Sequence, residues 1–331
     1  MIRAGNDETA IEQAARTLAA GELVAFATET VYGLGADAGS DSAVAKIFAA
    51  KGRPADHPLI VHLADLWALP LFASDVPEFA LRLIKAYWPG PLTVILPRRD
   101  GVAAAAAGGQ ATIGLRCPAH PVAHALLRAC SQQQPPVRGI AAPSANQFGR
   151  VSPTTAEHVR QEFGDGLLVL DGGACPVGIE SSIVDCSRGV PVLLRPGTLT
   201  REQLEAACGQ RLRDPDELHD AAPRASGTLE SHYAPKARVR LMDASSLQSA
   251  LDLLGAEAAG IATYSRAILR TRSGKVLRRR MPDDASETAR QLFAVLREFD
   301  ARGVQLIWVE TPPDSAEWEG VRDRLKRAAA G

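Results

Sequence analysis

Five short clusters in the first two hundred residues combine hydroxyls, glycines and cations in a pattern that suits an anionic ligand. The first is Thr28-Glu29-Thr30-Val31-Tyr32-Gly33-Leu34-Gly35, directly after the apolar run Leu23–Phe26. Hydroxyls and glycines at a strand end let a ligand approach the backbone, although a polar turn with two structural glycines explains them as well. The second is Lys51-Gly52-Arg53-Pro54, with His57 and His62 close behind. A lysine and an arginine two apart can grip phosphates, the arginine as a planar fork and the lysine as a point charge. Cations that merely stabilise a helix C-terminus are the plain alternative.

Thr112 and Arg116 make the third cluster; four apart on a strand, they share one face. Arg116 there can hold a carboxylate through two hydrogen bonds, or simply form a surface ion pair. The fourth is Pro143-Ser144-Ala145-Asn146 followed by Ser152-Pro153-Thr154, where Ser152 also reads as a helix N-cap. The fifth is Gly178-Ile179-Glu180-Ser181-Ser182 with Arg195-Pro196-Gly197, an anion site or a turn beside a solvated arginine. Taken together the clusters imply positioning and charge neutralisation rather than covalent catalysis. No defensible Ser-His-Asp set, H-E-x-x-H, G-x-G-x-x-G or Walker-type P-loop is present.

The elements that must hold these residues alternate between helix and strand. Helical spacing of Ile11, Ala15 and Leu18 stops at Gly21, and Asp41 is expected to cap a helix carrying Val44, Ile47 and Phe48. Strands are expected at Leu23–Phe26, Leu59–Val61, Leu92–Leu96, Thr112–Arg116, Gly139–Ala142, Leu167–Leu170, Ser182–Asp185 and Val192–Leu194. Thr200-x-x-Gln203 signals a capping box for a closing helix. Residues 210–236 lack periodicity and read as a linker, after which a second, shorter strand–helix alternation runs to the end. The expectation is an α/β protein: a twisted mixed sheet with flanking helices over 1–209, the linker at 210–236, and a small Rossmann-like α/β domain over 237–331.

Composition excludes several classes. With 46% hydrophobic residues in 331, two ordinary cores can be buried. The 37 basic and 38 acidic residues leave a formal charge of -1, so no global field favours nucleic acid or a membrane. The five cysteines form no C-x-x-C pair, which argues against a zinc site or a disulfide scaffold. A cytoplasmic location is expected.

The clusters, in this order, resemble the YrdC-like family in its long two-domain form, the threonylcarbamoyl-AMP synthases. His232-Tyr233-Ala234-Pro235 and Asp323-Arg324-Leu325-Lys326-Arg327 extend the likeness to the whole chain. The resemblance implies condensation of L-threonine, bicarbonate and ATP to threonylcarbamoyl-AMP and pyrophosphate. The product would pass to a tRNA-modifying transferase complex. It implies Lys51, Arg53, Ser144 and Asn146 as the catalytic set. It implies Thr30, His62, Arg116, Ala142 and Ser182 around threonine. Around ATP it implies Arg53, His57, Thr112, Ser144, Ser152, Arg195, His232 and Tyr233, with the linker as a lid. Mg²⁺ is expected with ATP and without direct protein ligands; no stable nucleic-acid binding is expected. His57 stands where the family more often has asparagine, and Ser226-Gly227-Thr228 where a Pro-Gly-Met-like string is usual. Relatives of this fold also suggest a double-stranded-RNA module or a carbamoyl-adenylate transferase; the chain lacks the paired cysteines of the latter.

Overall fold

The computed structural model describes residues 1–218 and 222–331; His219, Asp220 and Ala221, part of the expected linker, lie outside the described residues. The chain forms two compact units. One comprises Met1–Phe148 and Ser152–Thr228, the other Gly149–Val151 and Leu229–Gly331. The segment expected as a linker is therefore shared: up to Thr228 it packs with the first unit, and from Leu229 with the second.

The first unit is built on strands β1 (Ile2–Ala4), β2 (Val24–Phe26), β3 (Gly33–Asp37), β4 (Ile60–His62), β5 (Leu92–Pro97), β6 (Thr112–Arg116), β7 (Ile140–Ala141), β8 (Leu168–Asp171), β9 (Ser182–Asp185) and β10 (Val192–Arg195). They lie in the order β1-β8-β2-β3-β7-β4-β6-β5-β9-β10, with parallel and antiparallel neighbours mixed. Helices α1 (Glu8–Ala19), α2 (Asp41–Lys51), α3 (Leu69–Phe72), α4 (Glu78–Tyr87), α5 (Pro121–Ser131), α6 (Ala156–Phe163) and α7 (Arg201–Cys208) flank the sheet. In the second unit β11 (Arg238–Met242), β12 (Ile261–Ser265), β13 (Leu277–Arg280) and β14 (Leu306–Glu310) form a parallel sheet in the order β11-β14-β12-β13. Its helices are α8 (Ala244–Asp252), α9 (Ala285–Ala301) and α10 (Glu319–Ala329).

The local signals explain most boundaries. Both halves of the Thr200–Gln203 capping box form at α7. α2 ends because Gly52 takes a left-handed conformation at φ 63°, which places Lys51 in its last position. Two expected caps are corrected. Ser40, not Asp41, caps α2 by accepting from the Ala43 backbone, and Asp41 adds first-turn negative charge. Ser152 caps nothing: the next helix starts at Ala156 with Thr155 as its cap.

Gly33 and Gly35 belong to a strand rather than to a turn. A Cβ on Gly35 would lie 2.8 Å from Ile140 Cγ2 and 2.9 Å from Phe26 Cε1, so glycine lets β3 squeeze between β2 and β7. Gly35→Ala is expected to destabilise the protein by about 1–3 kcal/mol through overpacking. An unchanged denaturant midpoint would show that the neighbours yield freely.

Candidate functional site

Strands β4, β6, β5, β9 and β10 are consecutive neighbours, and five of the predicted residues, His62, Thr112, Arg116, Ser182 and Arg195, sit along them. His62 on β4 lies directly opposite Arg116 on β6, so both side chains leave the same face. Arg116 is 4% exposed. Its Nη2 donates to Glu29 Oε1 at 2.5 Å, its Nη1 to Thr30 Oγ1 at 2.8 Å and its Nε to the Gly90 carbonyl at 3.3 Å. The other Glu29 oxygen accepts from the Ala119 backbone at 3.1 Å. Thr28 builds the turn that presents this pair: its hydroxyl accepts from the backbone N–H groups of Thr30 and Val31, each at 3.2 Å. A guanidinium has five N–H donors, and these bonds use three.

Two buried polar atoms in this region have no partner among the described residues, His62 Nδ1 and Ser182 Oγ. Buried groups of this kind are nearly always satisfied, so a polar ligand is the natural complement. Burial, reinforced by the Arg116 charge, lowers the His62 pKa to about 3 and keeps the ring neutral. Ser182 heads β9 against the Arg195-Pro196-Gly197 turn. A Cβ on Gly197 would come within 2.5 Å of the Ser182 nitrogen, so that turn closes on Ser182 only through a glycine.

Lys51 and the Ser144–Asn146 segment come together as the resemblance implied, but not as free charge and free amide. Lys51 Nζ donates to the carbonyl of Ser144 at 2.6 Å and to the carbonyl of Asn146. It is a strut that fixes this segment, and burial holds its amine well below the ordinary lysine value. Asn146 Nδ2 donates to the Gln147 carbonyl at 2.7 Å. Ser144 bridges to Gly33, and Ala142 hydrogen-bonds through its backbone to Ile60. Arg53 Nη2 donates to the Pro58 carbonyl at 3.0 Å and to Ser226 Oγ at 3.2 Å, with its guanidinium 5.6 Å from the Phe148 ring centre. The His57 ring meets Phe148 edge-on at 5.5 Å; partial burial, then Arg53, lowers its pKa.

Beside these groups runs a cleft lined by Ile60, Thr93, Ile95, Thr112 and Ile183 and walled on another side by a strap, Arg224, Ala225 and Ser226. About 10 Å³ of free space remains, room for about one water. Asp56, Gln110, Arg195 and Arg53 fasten this strap, Asp56 through an ion pair with Arg224. Gln110 clasps the Arg224 backbone at both ends, accepting from its N–H at 2.8 Å and donating to its carbonyl at 3.2 Å. Arg195 Nη1 donates to the Ser226 carbonyl at 2.8 Å, and Arg53 holds the Ser226 hydroxyl. The rest of Arg195 is braced on Ser181, whose hydroxyl also meets Thr93 Oγ1 at 2.7 Å.

Ser152 is fully buried and its hydroxyl donates to Glu180, a carboxylate partner that its expected role does not require. His232 and Tyr233 lie in the second unit, both buried. Tyr233 takes φ 60°, rare for a tyrosine, and packs on Phe293 with the Arg324 guanidinium 5.3 Å from its ring centre. Sequence reasoning missed Gln110, Thr93, Glu29 and Ser226 as partners. Glu29 carried a signal, as one of two acids, with Glu180, inside the quoted clusters.

The Sua5/YciO/YrdC family, described as telomere recombination, matches residues 16–197, and the threonylcarbamoyl-AMP synthase C-terminal domain matches 199–330. The chain belongs to this family. Threonylcarbamoyl-AMP synthase of Bacillus subtilis is 39% identical over 97% of this chain and 93% of its own length. The Pyrococcus abyssi enzyme of that name is 38% identical over 99% and 96%. Among solved structures, P. abyssi Sua5 complexed with L-threonine superposes with a TM-score of 0.86 at 37% identity, covering 98% of this chain and 95% of that one. A P. abyssi Sua5 variant with an adjacent histidine and tyrosine both replaced by alanine gives 0.88 at 36% identity, covering 99% and 96%. The full-length relatives are named for an enzyme, and the chain is an enzyme of the threonylcarbamoyl-AMP synthase family. Its fold is the mixed α/β sheet with a second, parallel-sheet unit that the sequence implied.

The neutral His62 gives a test of the site's electrostatics. Its folded pKa of about 3 lies below the ordinary 6.5. The unfolded chain therefore takes up the proton first, and this contribution to stability is lost as pH falls from about 6.5 towards 3. His62→Gln is expected to show a shallower loss of Tm over that range. Parallel acid limbs for the two proteins would show that His62 is not held neutral.

Proposed function

We propose that the chain is an L-threonylcarbamoyladenylate synthase, which condenses L-threonine, bicarbonate and ATP to threonylcarbamoyl-AMP and pyrophosphate. One observation carries this reading. A single region of the sheet presents a buried guanidinium with spare donors beside two unsatisfied polar atoms, and next to it two arginines whose partners in a cleft are replaceable. The first half fits a small amino acid: Arg116 for its carboxylate, with Thr30, His62, Ala142 and Ser182 around the rest. The second half fits a nucleotide: Arg53 and Arg195 for phosphates, with Thr112, Ser144, Ser152 and His57 along the cleft. The L-threonine complex of the P. abyssi relative supports the first assignment.

In this reading the threonine amine forms a bond to the bicarbonate carbon and gives up a proton, and one bicarbonate oxygen leaves as water, which yields N-carboxy-threonine. A carboxylate oxygen of that group attacks the α-phosphorus, and pyrophosphate leaves with its electron pair. Lys51, Arg53, Ser144 and Asn146 surround the reacting groups, Lys51 by holding the Ser144–Asn146 backbone in place. Among the described residues no three His, Cys, Asp or Glu side chains gather as a metal site. Glu29 and Glu180 are engaged with Arg116 and Ser152. That donor set fits Mg²⁺ carried by the phosphate oxygens of ATP, where it would neutralise charge on the leaving pyrophosphate. His232 and Tyr233, which the resemblance sets around ATP, lie in the second unit. The product serves a transferase that modifies tRNA, and a cytoplasmic setting fits both ATP and tRNA; no helix among the described residues is long and apolar enough to cross a membrane.

Pyrophosphate release should require threonine, bicarbonate and ATP together; release that ignores threonine would refute the reading. Arg116→Lys, which loses the planar fork, is expected to raise KM for threonine at least ~10-fold, on the order of 1.4 kcal/mol, with little change in KM for ATP. Arg195→Ala should do the reverse.

The strap makes a separate prediction. Because Arg224–Ser226 walls a cleft with room for about one water, ATP has to displace it, and Gln110 holds it in place. Gln110→Ala is expected to tighten binding of a non-hydrolysable ATP analogue by roughly 2–10-fold, since ~0.5–1.5 kcal/mol of hydrogen bonding no longer resists displacement. Weaker binding in the variant would mean that the strap assists the nucleotide instead.

A further inference from the structure

The whole-chain charge of -1 conceals a division between the two units. Residues 229–331 hold 17 Lys and Arg against 14 Asp and Glu, whereas residues 1–228 hold 20 against 24. Part of this excess is concentrated on one face of the second unit's sheet. Arg238 and Arg240 on the edge strand β11 lie opposite Leu306 and Trp308 on β14, so all four side chains leave the same face. With Lys236, Val304 and Gln305 they line an open cleft of about 720 Å³. That is within the ~300–1,000 Å³ of sites that take nucleotide-sized groups.

No carboxylate residue lines this cleft. The nearby Asp300 spends its two oxygens on the backbone N–H groups of Lys236 and Ala237, at 2.9 and 3.1 Å. The side chains of Lys236, Arg238 and Arg240 form no ion pair or hydrogen bond among the described residues, and all three are exposed. Helix α8 covers only the neighbouring part of the same face, where Leu247 and Leu251 pack with Met242, Ile261 and one side of Trp308. The indole therefore stands at the border between a packed core and an uncovered cationic strip.

We propose that this face binds single-stranded RNA. Unpaired cations alternating along an extended strand follow a phosphate backbone, and an aromatic ring at their edge offers a base a stacking surface. An acidic peptide would use the cations but would leave the half-exposed indole without a matching π-face. Such local binding on one unit would depart from the expectation, drawn from net charge, that no stable nucleic-acid binding occurs.

The test is fluorescence anisotropy of the full chain with a labelled single-stranded RNA of about 16 nucleotides, at ~50 and ~200 mM salt. Saturable, salt-sensitive binding is expected. Arg238→Ala with Arg240→Ala should weaken it at least ~10-fold and reduce the log–log salt slope by about 1.4, the loss of two phosphate contacts. Trp308→Leu should weaken it without changing the slope. Threonine-dependent pyrophosphate release should be unchanged in the arginine variant, which separates this claim from the catalytic one. Absence of binding at the lower salt, or equal binding by the double arginine variant, would overturn the proposal. Polyglutamate competing as well as RNA would also overturn it and reassign the face to an acidic protein.

Discussion

A buried guanidinium cannot shed its proton, so the fold around Arg116 has to supply a negative charge within reach. Glu29 supplies it, at 2.5 Å and almost as deeply buried. Much of the first unit follows from that pair. β2 must end where Thr28 can turn the chain and aim Glu29 at the end of β6. The loop after β6 must bring the Ala119 N–H to the other carboxylate oxygen. Removing either partner of such a pair costs about 3–5 kcal/mol, because the survivor is left charged and dry. The same arrangement places Thr30 on one edge of the guanidinium and leaves two donors for a ligand. Stability and preorganisation thus come from one interaction, and the orientation of Arg116 is set before any substrate arrives.

Arg53 and Arg195 present the opposite case. Among their partners are a neutral hydroxyl and a neutral carbonyl of the strap. Charge-assisted bonds to an anion are roughly twice as strong as neutral ones. If a phosphate binds here as proposed, it would offer both arginines a stronger partner than the strap hydroxyl and carbonyl do.

The legible parts of this molecule are those governed by periodicity and by local caps. Strands such as Thr112–Arg116 and Ser182–Asp185 coincide with the apolar runs that predict them, and the Thr200 capping box is formed by four residues in a row. β3 was not legible, because two glycines that serve close strand packing look like turn residues until Ile140 and Phe26 are seen against them. The clusters converge as expected, yet their bonds were not readable. Lys51 reads as a charge and acts as a strut; Ser152 reads as a cap and faces Glu180. Gln110 had no signal at all: its partner is the backbone of a residue 114 positions away, and backbone atoms leave no mark in a sequence. Thr93 is hidden for a different reason, since threonine is an ordinary strand residue.

Burial treats the side chains able to carry positive charge around this site unequally. Lys51 and His62 are fully enclosed, and desolvation drives both towards their neutral forms. Arginine keeps its charge at any accessible pH. The charges of Arg53, Arg116 and Arg195 are therefore not reduced by the same burial. Lys51 serves the site through the two backbone carbonyls that it holds. A neutral imidazole has one donor and one acceptor, so His62 can adapt to an amine or a hydroxyl beside Arg116 without adding repulsion. The choice of arginine over lysine at the anion positions, and of histidine over arginine beside them, follows from how each responds to the same dry environment.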